Sequence, residues 1–275
     1  APPPVVFQLG SEAARPLARS CAALWQEHGA ALAADLLPAG VVADTVQCLI
    51  LPTDRFDAYF ADRLPDWGVG VAVAPGRLIA LDHERIRNVG PGPEAVFMHE
   101  MAHALLFQAA HRVRLPTWLH EGVAMRASGE WRFTDTLGVI LEGRLPSLAS
   151  LGGPFPQGGH AAQRAYRTSL LAVNWLEAEH GPGAVGRILA AVRQHGDWYA
   201  GFRAATGEDA DTFARRFAGS MRLRYGWVLM LFRWPTLFVI VALVFLVGAV
   251  TKVVRNRRAL AREAALEDAR LGESG

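Results

Sequence analysis

Two histidines flank a glutamate at a spacing that suits one metal ion. His99, Glu100 and His103 stand in the order His-Glu-Met-Ala-His. Side chains four positions apart share one face of a helix, so both imidazoles can reach the same ion. Neutral imidazole is a good zinc ligand, and a neighbouring carboxylate can take a proton from a water that zinc has made acidic. The pattern therefore predicts a zinc site with His99 and His103 as ligands and Glu100 as general base.

A catalytic zinc ion takes three protein ligands and keeps one position open, so a third side chain is needed. Glu121 is the strongest candidate, because Pro116 opens a second predicted helix that a short turn can bring back onto the first. Two histidines remain as alternatives. His111 lies near the expected end of the first helix and points elsewhere unless that helix breaks early. His120 precedes Glu121, and its side chain points about 100° away around the helix.

The flanking residues predict the two helices that hold this set. The first begins at Gly92-Pro93-Glu94, with proline at its first position and an acid in its first turn, and runs to about residue 110. The second ends before Gly129. The rest of the first helix is apolar, as a buried helix requires, at Phe97, Met98, Met101, Leu105 and Leu106.

Ahead of the histidines, the sequence predicts a small sheet. Residues 46–51 read as a buried strand, and residues 69–74 and 77–82 read as a hairpin around Pro75-Gly76. Helices are predicted at residues 13–37, 54–62, 161–179, 182–194 and 209–224, with a loop at residues 152–159. The expected class is α+β, with a small antiparallel sheet followed by a mainly helical body.

Near the end of the chain, residues 234–251 carry no charge and predict one transmembrane helix. They cover about 27 Å at 1.5 Å per residue, and the span can begin near Trp227 if Arg233 snorkels. A buried core helix is the alternative. The expected domains are residues 1–225, with a motif-bearing core at about 45–225, a span at 227–251 and a charged tail at 252–275.

The charges around the span predict its orientation. Basic residues follow it closely, at Lys252, Arg255, Arg257, Arg258 and Arg262, and sit further from it on the other side, at Arg215, Arg216, Arg222 and Arg224. Because positive residues favour the cytoplasmic side, we expect a cytoplasmic tail and an extracytoplasmic N-terminal part in a cell membrane. The start at Ala1 resembles an N-terminus left after removal of a signal peptide, although an arbitrary boundary of the chain would look the same.

Composition argues against a disordered protein and against a nucleic-acid-binding protein. Apolar residues make up 51% of the chain and charged residues 20%, which argues against disorder. The formal net charge is +2, and no basic run interleaved with aromatics precedes residue 215, so nucleic-acid binding has little support. Cys21 and Cys48 read either as two small buried residues or as one disulfide, which would need an oxidising compartment.

The two motifs together resemble a known family. HEMAH followed by LPTWLHEGVA is similar to the gluzincins, in particular to the peptidase MA-like group, in which the second segment supplies the third zinc ligand. This resemblance implies a zincin-like fold and assigns that ligand to Glu121. Aminopeptidases of the clan place the glutamate one position further on. Thermolysin-like enzymes carry an aspartate where this chain has Met125, so the partner that orients a ligand must come from elsewhere.

The resemblance extends over about residues 45–225. Tyr166, Trp175 and Gly181-Pro182 match the helix pair that follows in MA-like peptidases. In related gluzincins a downstream tyrosine donates a hydrogen bond to the oxyanion, a role that the resemblance implies for Tyr166, with simple packing as the alternative. A strand of the hairpin is expected to pair with the extended substrate. Gly68 and Gly70 would permit close approach, and packing of the hairpin is an equal explanation for these two glycines.

The resemblance implies a zinc metallopeptidase that hydrolyses a peptide or protein substrate, and the predicted span anchors it in a membrane. The alternative is a non-catalytic membrane-anchored binding or assembly module that keeps the fold. An intact Glu100 weighs against that alternative, because a site without chemistry has no need of a general base.

Overall fold

The computed structural model describes residues 2–60, 68–88, 92–129, 145–156, 159–231 and 234–272. Parts of four predicted segments lie outside these described residues. They are residues 61–62 of a short helix, 157–158 of the loop, 232–233 of the span and 273–275 of the tail.

The described strands form one mixed sheet with the order β1-β2-β4-β3. β1 (Val5–Leu9) and β2 (Val46–Leu51) are parallel, as are β2 and β4 (Leu78–Asp82). β3 (Gly70–Val73) is antiparallel to β4, which confirms the predicted hairpin. The α+β class is confirmed, whereas the expectation of an antiparallel sheet is correct for the β3–β4 pair alone.

The parallel pairs arise from the connections between the strands. A long helix, residues 15–36, separates β1 from β2, and a helical crossover returns the chain in its original direction. β1 has no counterpart among the predicted strands. β1 is an edge strand that other elements cover only in part, since Val6 is 48% exposed and Leu9 is 38% exposed. Its sequence therefore lacks the apolar pattern of a buried strand.

Helices make up most of the described chain. Their bounds are α1 Arg15–Leu36, α2 Thr53–Phe60, α3 Pro93–Ala110, α4 Thr117–Ser128, α5 Gly159–His180, α6 Ala184–His195, α7 Trp198–Thr206, α8 Ala210–Leu231 and α9 Trp234–Gly272. The predicted ends of α3 and α4 are confirmed. α7 has no counterpart among the predicted helices. Asp197 was an available signal for the start of α7, because aspartate is a favoured N-cap residue. The Asp197 carboxylate accepts a hydrogen bond from Ala200 N at 2.8 Å.

Helices cover both faces of the sheet. On one face α2 packs Phe56 and Phe60 against a cluster that includes Ala80 of β4. On the other face α1 and α3 pack together, with Trp25 edge-on to Phe97 at 6.3 Å between ring centroids. The central helix α3 therefore lies between the sheet and the helical body, in contact with β3, α1, α4 and α6.

Both cysteines are free and lie in this core. Cys21 of α1 and Cys48 of β2 have no exposed surface. Burial, with a smaller effect of Glu94, raises the pKa of the Cys21 thiol to about 12. Burial, with a smaller effect of Cys21, also raises the pKa of Cys48. The interpretation as small buried residues is confirmed, and the disulfide alternative is wrong for this structure.

The chain divides into two compact units, Ala1–Arg222 and Leu223–Gly275. In the second unit, α9 contains the stretch Phe238–Arg258, which has a mean hydropathy of 2.3 and no buried part. Among the described residues this is the one helix long and apolar enough to cross a membrane. The prediction of an apolar C-terminal helix is confirmed.

Candidate metal centre

The two histidines of the motif lie one turn apart on α3. Their ring centroids are 4.8 Å apart, and the rings meet edge to face. Both side chains are mostly covered, with 16% of His99 and 13% of His103 exposed. The surrounding positions Phe97, Met101 and Leu105 are fully buried. α3 thus presents two imidazoles from a helix that is otherwise part of the core.

α4 brings the predicted third ligand to the same place. Glu121 Oε2 lies 3.5 Å from Nε2 of His99 and 3.5 Å from Nε2 of His103. One ligand atom from each of the three residues lies within 4.8 Å of the other two. Ligands at about 2.1 Å from a tetrahedral zinc ion are about 3.4 Å from one another. Two nitrogens and one oxygen at this spacing therefore fit a zinc ion.

Close packing of α4 on α5 fixes the direction of Glu121. A Cβ atom at Gly122 would overlap the backbone oxygen of Ser169 on α5, so only glycine allows the two backbones to meet. Further along α4, Arg126 pairs with Asp35 of α1 at 2.5 Å and with Glu177 of α5 at 3.3 Å. Because α4 is held along its length, Glu121 faces α3.

The electrostatic surroundings keep Glu121 ionised. Burial of this carboxyl raises its pKa, but the charges and hydrogen bonds of His103 and His99 lower the pKa by more. The net result is a pKa well below the usual range for glutamate. Ionised carboxylate is the form that binds a metal, so the residue is ready to act as a ligand.

The two alternative histidines lie outside this group. Burial, with a smaller effect of His103, lowers the pKa of His120 to about 3, so its imidazole is neutral. Its ring packs at 4.9 Å from the ring of Phe107 and at 5.6 Å from that of His103. His111 is exposed at the end of α3, with φ at 58°. The third member of the group that the structure brings together is Glu121, and neither His111 nor His120 belongs to it.

Glu100 is buried beside the two histidines, with 7% of its surface exposed. The start of β3 lies against its side chain, since a Cβ atom at Gly70 would be 2.8 Å from Glu100 Oε1. Glu100 does not belong to the group of potential ligands. This placement suits a carboxylate that acts on a water rather than on the ion.

Tyr166 lies on α5, one turn before the residue that contacts Gly122. Its ring is partly buried and meets the ring of Phe155 edge to face at 5.2 Å between centroids. The structure thus places Tyr166 on the helix that packs beside Glu121. A part for its hydroxyl in the chemistry stays a prediction.

Sequence reasoning missed the residue that ties α3 to the hairpin. Gln108 is 8% exposed, and its amide donates hydrogen bonds to Gly76 O at 2.6 Å and Asp44 O at 3.3 Å. Its side-chain oxygen accepts a hydrogen bond from Asp44 N at 2.8 Å. A single amide in the otherwise apolar part of α3 after His103 was the available signal, because a buried polar group needs partners.

One comparison with known proteins bears on this geometry. A family model described as Peptidase MA superfamily matches residues 57–222. The matched region begins within α2 and ends within α8, so it contains the hairpin, α3 and α4. No curated protein and no solved structure matches the chain.

Proposed function

Because this chain belongs to the Peptidase MA superfamily, we propose that it is a zinc-dependent peptidase of the gluzincin type. The match supports a peptidase-like hydrolase at the level of the superfamily. The observation that carries the finer proposal is the approach of Glu121 to His99 and His103 from a separate helix, at the spacing of zinc ligands. These three residues would hold the ion.

The residues of the site divide the work as follows. A bound zinc ion supplies Lewis acidity, which makes water a strong nucleophile near neutral pH. Glu100 accepts a proton from the attacking water and then delivers it to the nitrogen of the departing amine. The hydroxyl of Tyr166 donates a hydrogen bond to the substrate oxygen as negative charge develops on it.

The substrate is a peptide or protein segment in an extended conformation. β3 lies at one end of the strand order, and β4 lies inside it. Among the described strands, therefore, β3 offers a backbone edge above α3 for an added strand. The expectation from sequence had left both strands of the hairpin open, and the strand order favours β3.

We further propose that α9 anchors the peptidase to a membrane through the uncharged part of the stretch Phe238–Arg258, which ends at residue 251. Its length and composition support this proposal, as does its lack of burial within the protein. The cations that follow residue 251 favour a cytoplasmic tail, which places the peptidase unit outside the cytoplasm.

The decisive experiment separates an enzyme from a module that only binds. The full chain in detergent, loaded with zinc, is incubated with a mixed peptide library, and products are identified by mass spectrometry. Glu100→Gln keeps the size of the side chain, and Glu100 is not a proposed ligand, so this variant should bind the same amount of zinc. Its amide cannot accept the proton from water. Its rate should fall by about 10² to 10⁴. Equal cleavage by Glu100→Gln and the unsubstituted chain would refute the proposed chemistry and favour the non-catalytic module.

A further inference from the structure

The first residue of β3 lies directly against the side chain of Glu100. A Cβ atom at Gly70 would be 2.8 Å from Glu100 Oε1, 2.9 Å from its Cγ and 3.0 Å from Cγ1 of Val96. Such distances are shorter than real Cβ atoms show, so any larger residue would force one of these groups to move. A glycine in a strand often marks such a close approach, and here the approaching group is the carboxylate.

The strand cannot easily move away from α3 to relieve such a contact. Gly70 is paired with Leu81 in the β3–β4 ladder, and Val71 and Val73 pack into the cluster under α2 on the other face. At the turn of the hairpin, Gln108 holds Gly76 O against α3. With the backbone held on three sides, the side chain of Glu100 is the group that must give.

We propose that Gly70 is a positioning residue, whose bare backbone sets the place of the Glu100 carboxylate for proton transfer. The inference rests on the proposed function, in which this carboxylate takes a proton from water. A general base must lie within hydrogen-bond reach of the proton that it takes. The strand then has two tasks in the reaction, since the element that offers an edge to the substrate also holds the base.

Gly70→Ala isolates this contact. Gly70 is not among the residues with a positive φ, so alanine adds no backbone strain there. Its three nearest atoms belong to Glu100 and Val96 rather than to His99, His103 or Glu121, so the metal ligands should stay in place. The expected effect is a displaced carboxylate at an intact metal site.

A stability cycle tests the contact without using activity. Gly70→Ala is measured in the full chain, in Glu100→Gln and in Glu100→Ala, each without metal, by thermal unfolding in detergent. The Tm should fall by about 3 °C or more in the first two backgrounds, where the bulky side chain remains. In Glu100→Ala the two closest atoms are gone and Val96 Cγ1 alone remains close, so the fall in Tm should be much smaller or absent. Gly153→Ala is the matched control, because nothing lies within 4 Å of its added Cβ atom and the residue is outside any helix.

Kinetics at matched zinc content tests the role. Gly70→Ala should lower kcat by about 10-fold to 10²-fold while KM changes little, since a misplacement of about 1 Å in a catalytic group can cost that much. An equal Tm loss in all three backgrounds would overturn the contact. A Tm loss that depends on the side chain at position 100, together with an unchanged kcat, would confirm the contact but overturn the positioning role.

The stability cycle and the kinetic comparison together also separate this inference from the proposed function. If the unsubstituted chain cleaves no peptide at full zinc occupancy, the proposed function fails and the role in proton transfer fails with it. The stability cycle still decides, in that case, whether β3 and Glu100 are in contact.

Discussion

Glu121 carries the assignment of the metal centre. The two histidines come from one helix and, among the residues that the structure describes, Glu121 closes the site from another. We expect about one zinc ion per chain. His103→Ala and Glu121→Ala should each lower the zinc content sharply, since a site with two remaining ligands binds zinc weakly. Elemental analysis after dialysis measures this. His111→Ala is the control and should keep its zinc. Unchanged zinc in both ligand variants would remove the proposed site.

Asp82 is the residue through which acid should weaken the fold away from the metal. It is fully buried at the end of β4 and accepts hydrogen bonds from the backbone and side chain of Arg85, from the Thr53 hydroxyl and from Glu84 N. Burial raises its pKa, but these hydrogen bonds lower the pKa by more, so that it lies below the usual range for aspartate.

Because the pKa of Asp82 is lower in the folded than in the unfolded chain, its contribution to stability is complete above about pH 4. That contribution is lost as the pH falls through the folded value. Asp82→Asn should therefore cost about 2 kcal/mol at pH 7 and progressively less as the pH is lowered below about 4. Urea unfolding at pH 7 and at a series of lower pH values measures the difference. A loss that stays the same over the whole series would show that the charge of Asp82 contributes nothing.

At the scale of elements, the position of the hairpin on α3 depends on one amide. Removing the side chain of Gln108 leaves the buried Gly76 O and the partly buried Asp44 N without this partner. Gln108→Ala should lower the free energy of unfolding by about 2–3 kcal/mol, measured by urea titration. Gln194→Ala, at an exposed site on α6, should change it by less than about 0.5 kcal/mol. Equal effects of the two variants would contradict the role given to Gln108.

The elements of the site were predictable where local signals and packing agree. Pro93 and Glu94 mark the start of α3, and Pro116 and Gly129 bracket α4. The parallel strands were not predictable in the same way, because their pairing depends on contacts between distant segments. The overlap of Gly122 with Ser169 and the contact of Gly70 with Glu100 also arise only in three dimensions.

At the scale of the whole molecule, the orientation in the membrane is the open prediction. Protease added to spheroplasts should digest the peptidase unit and spare a tag at Gly275, because the cations that follow residue 251 favour the cytoplasm. The same tag should be lost once the membrane is opened with detergent, which serves as the control. Protection of the peptidase unit with loss of the tag would reverse the proposed orientation.

All three proposed ligands lie within residues 99–121, on two helices joined by a short connection. Bringing them together therefore closes only a small loop, and the entropic cost of that closure is low. A folding chain can form this helix pair before the parallel strands find one another, since local contacts form faster than distant ones. Unfolded chains would also retain some affinity for zinc through the closely spaced histidines. The ion would then stabilise the native state by less than its native affinity alone suggests.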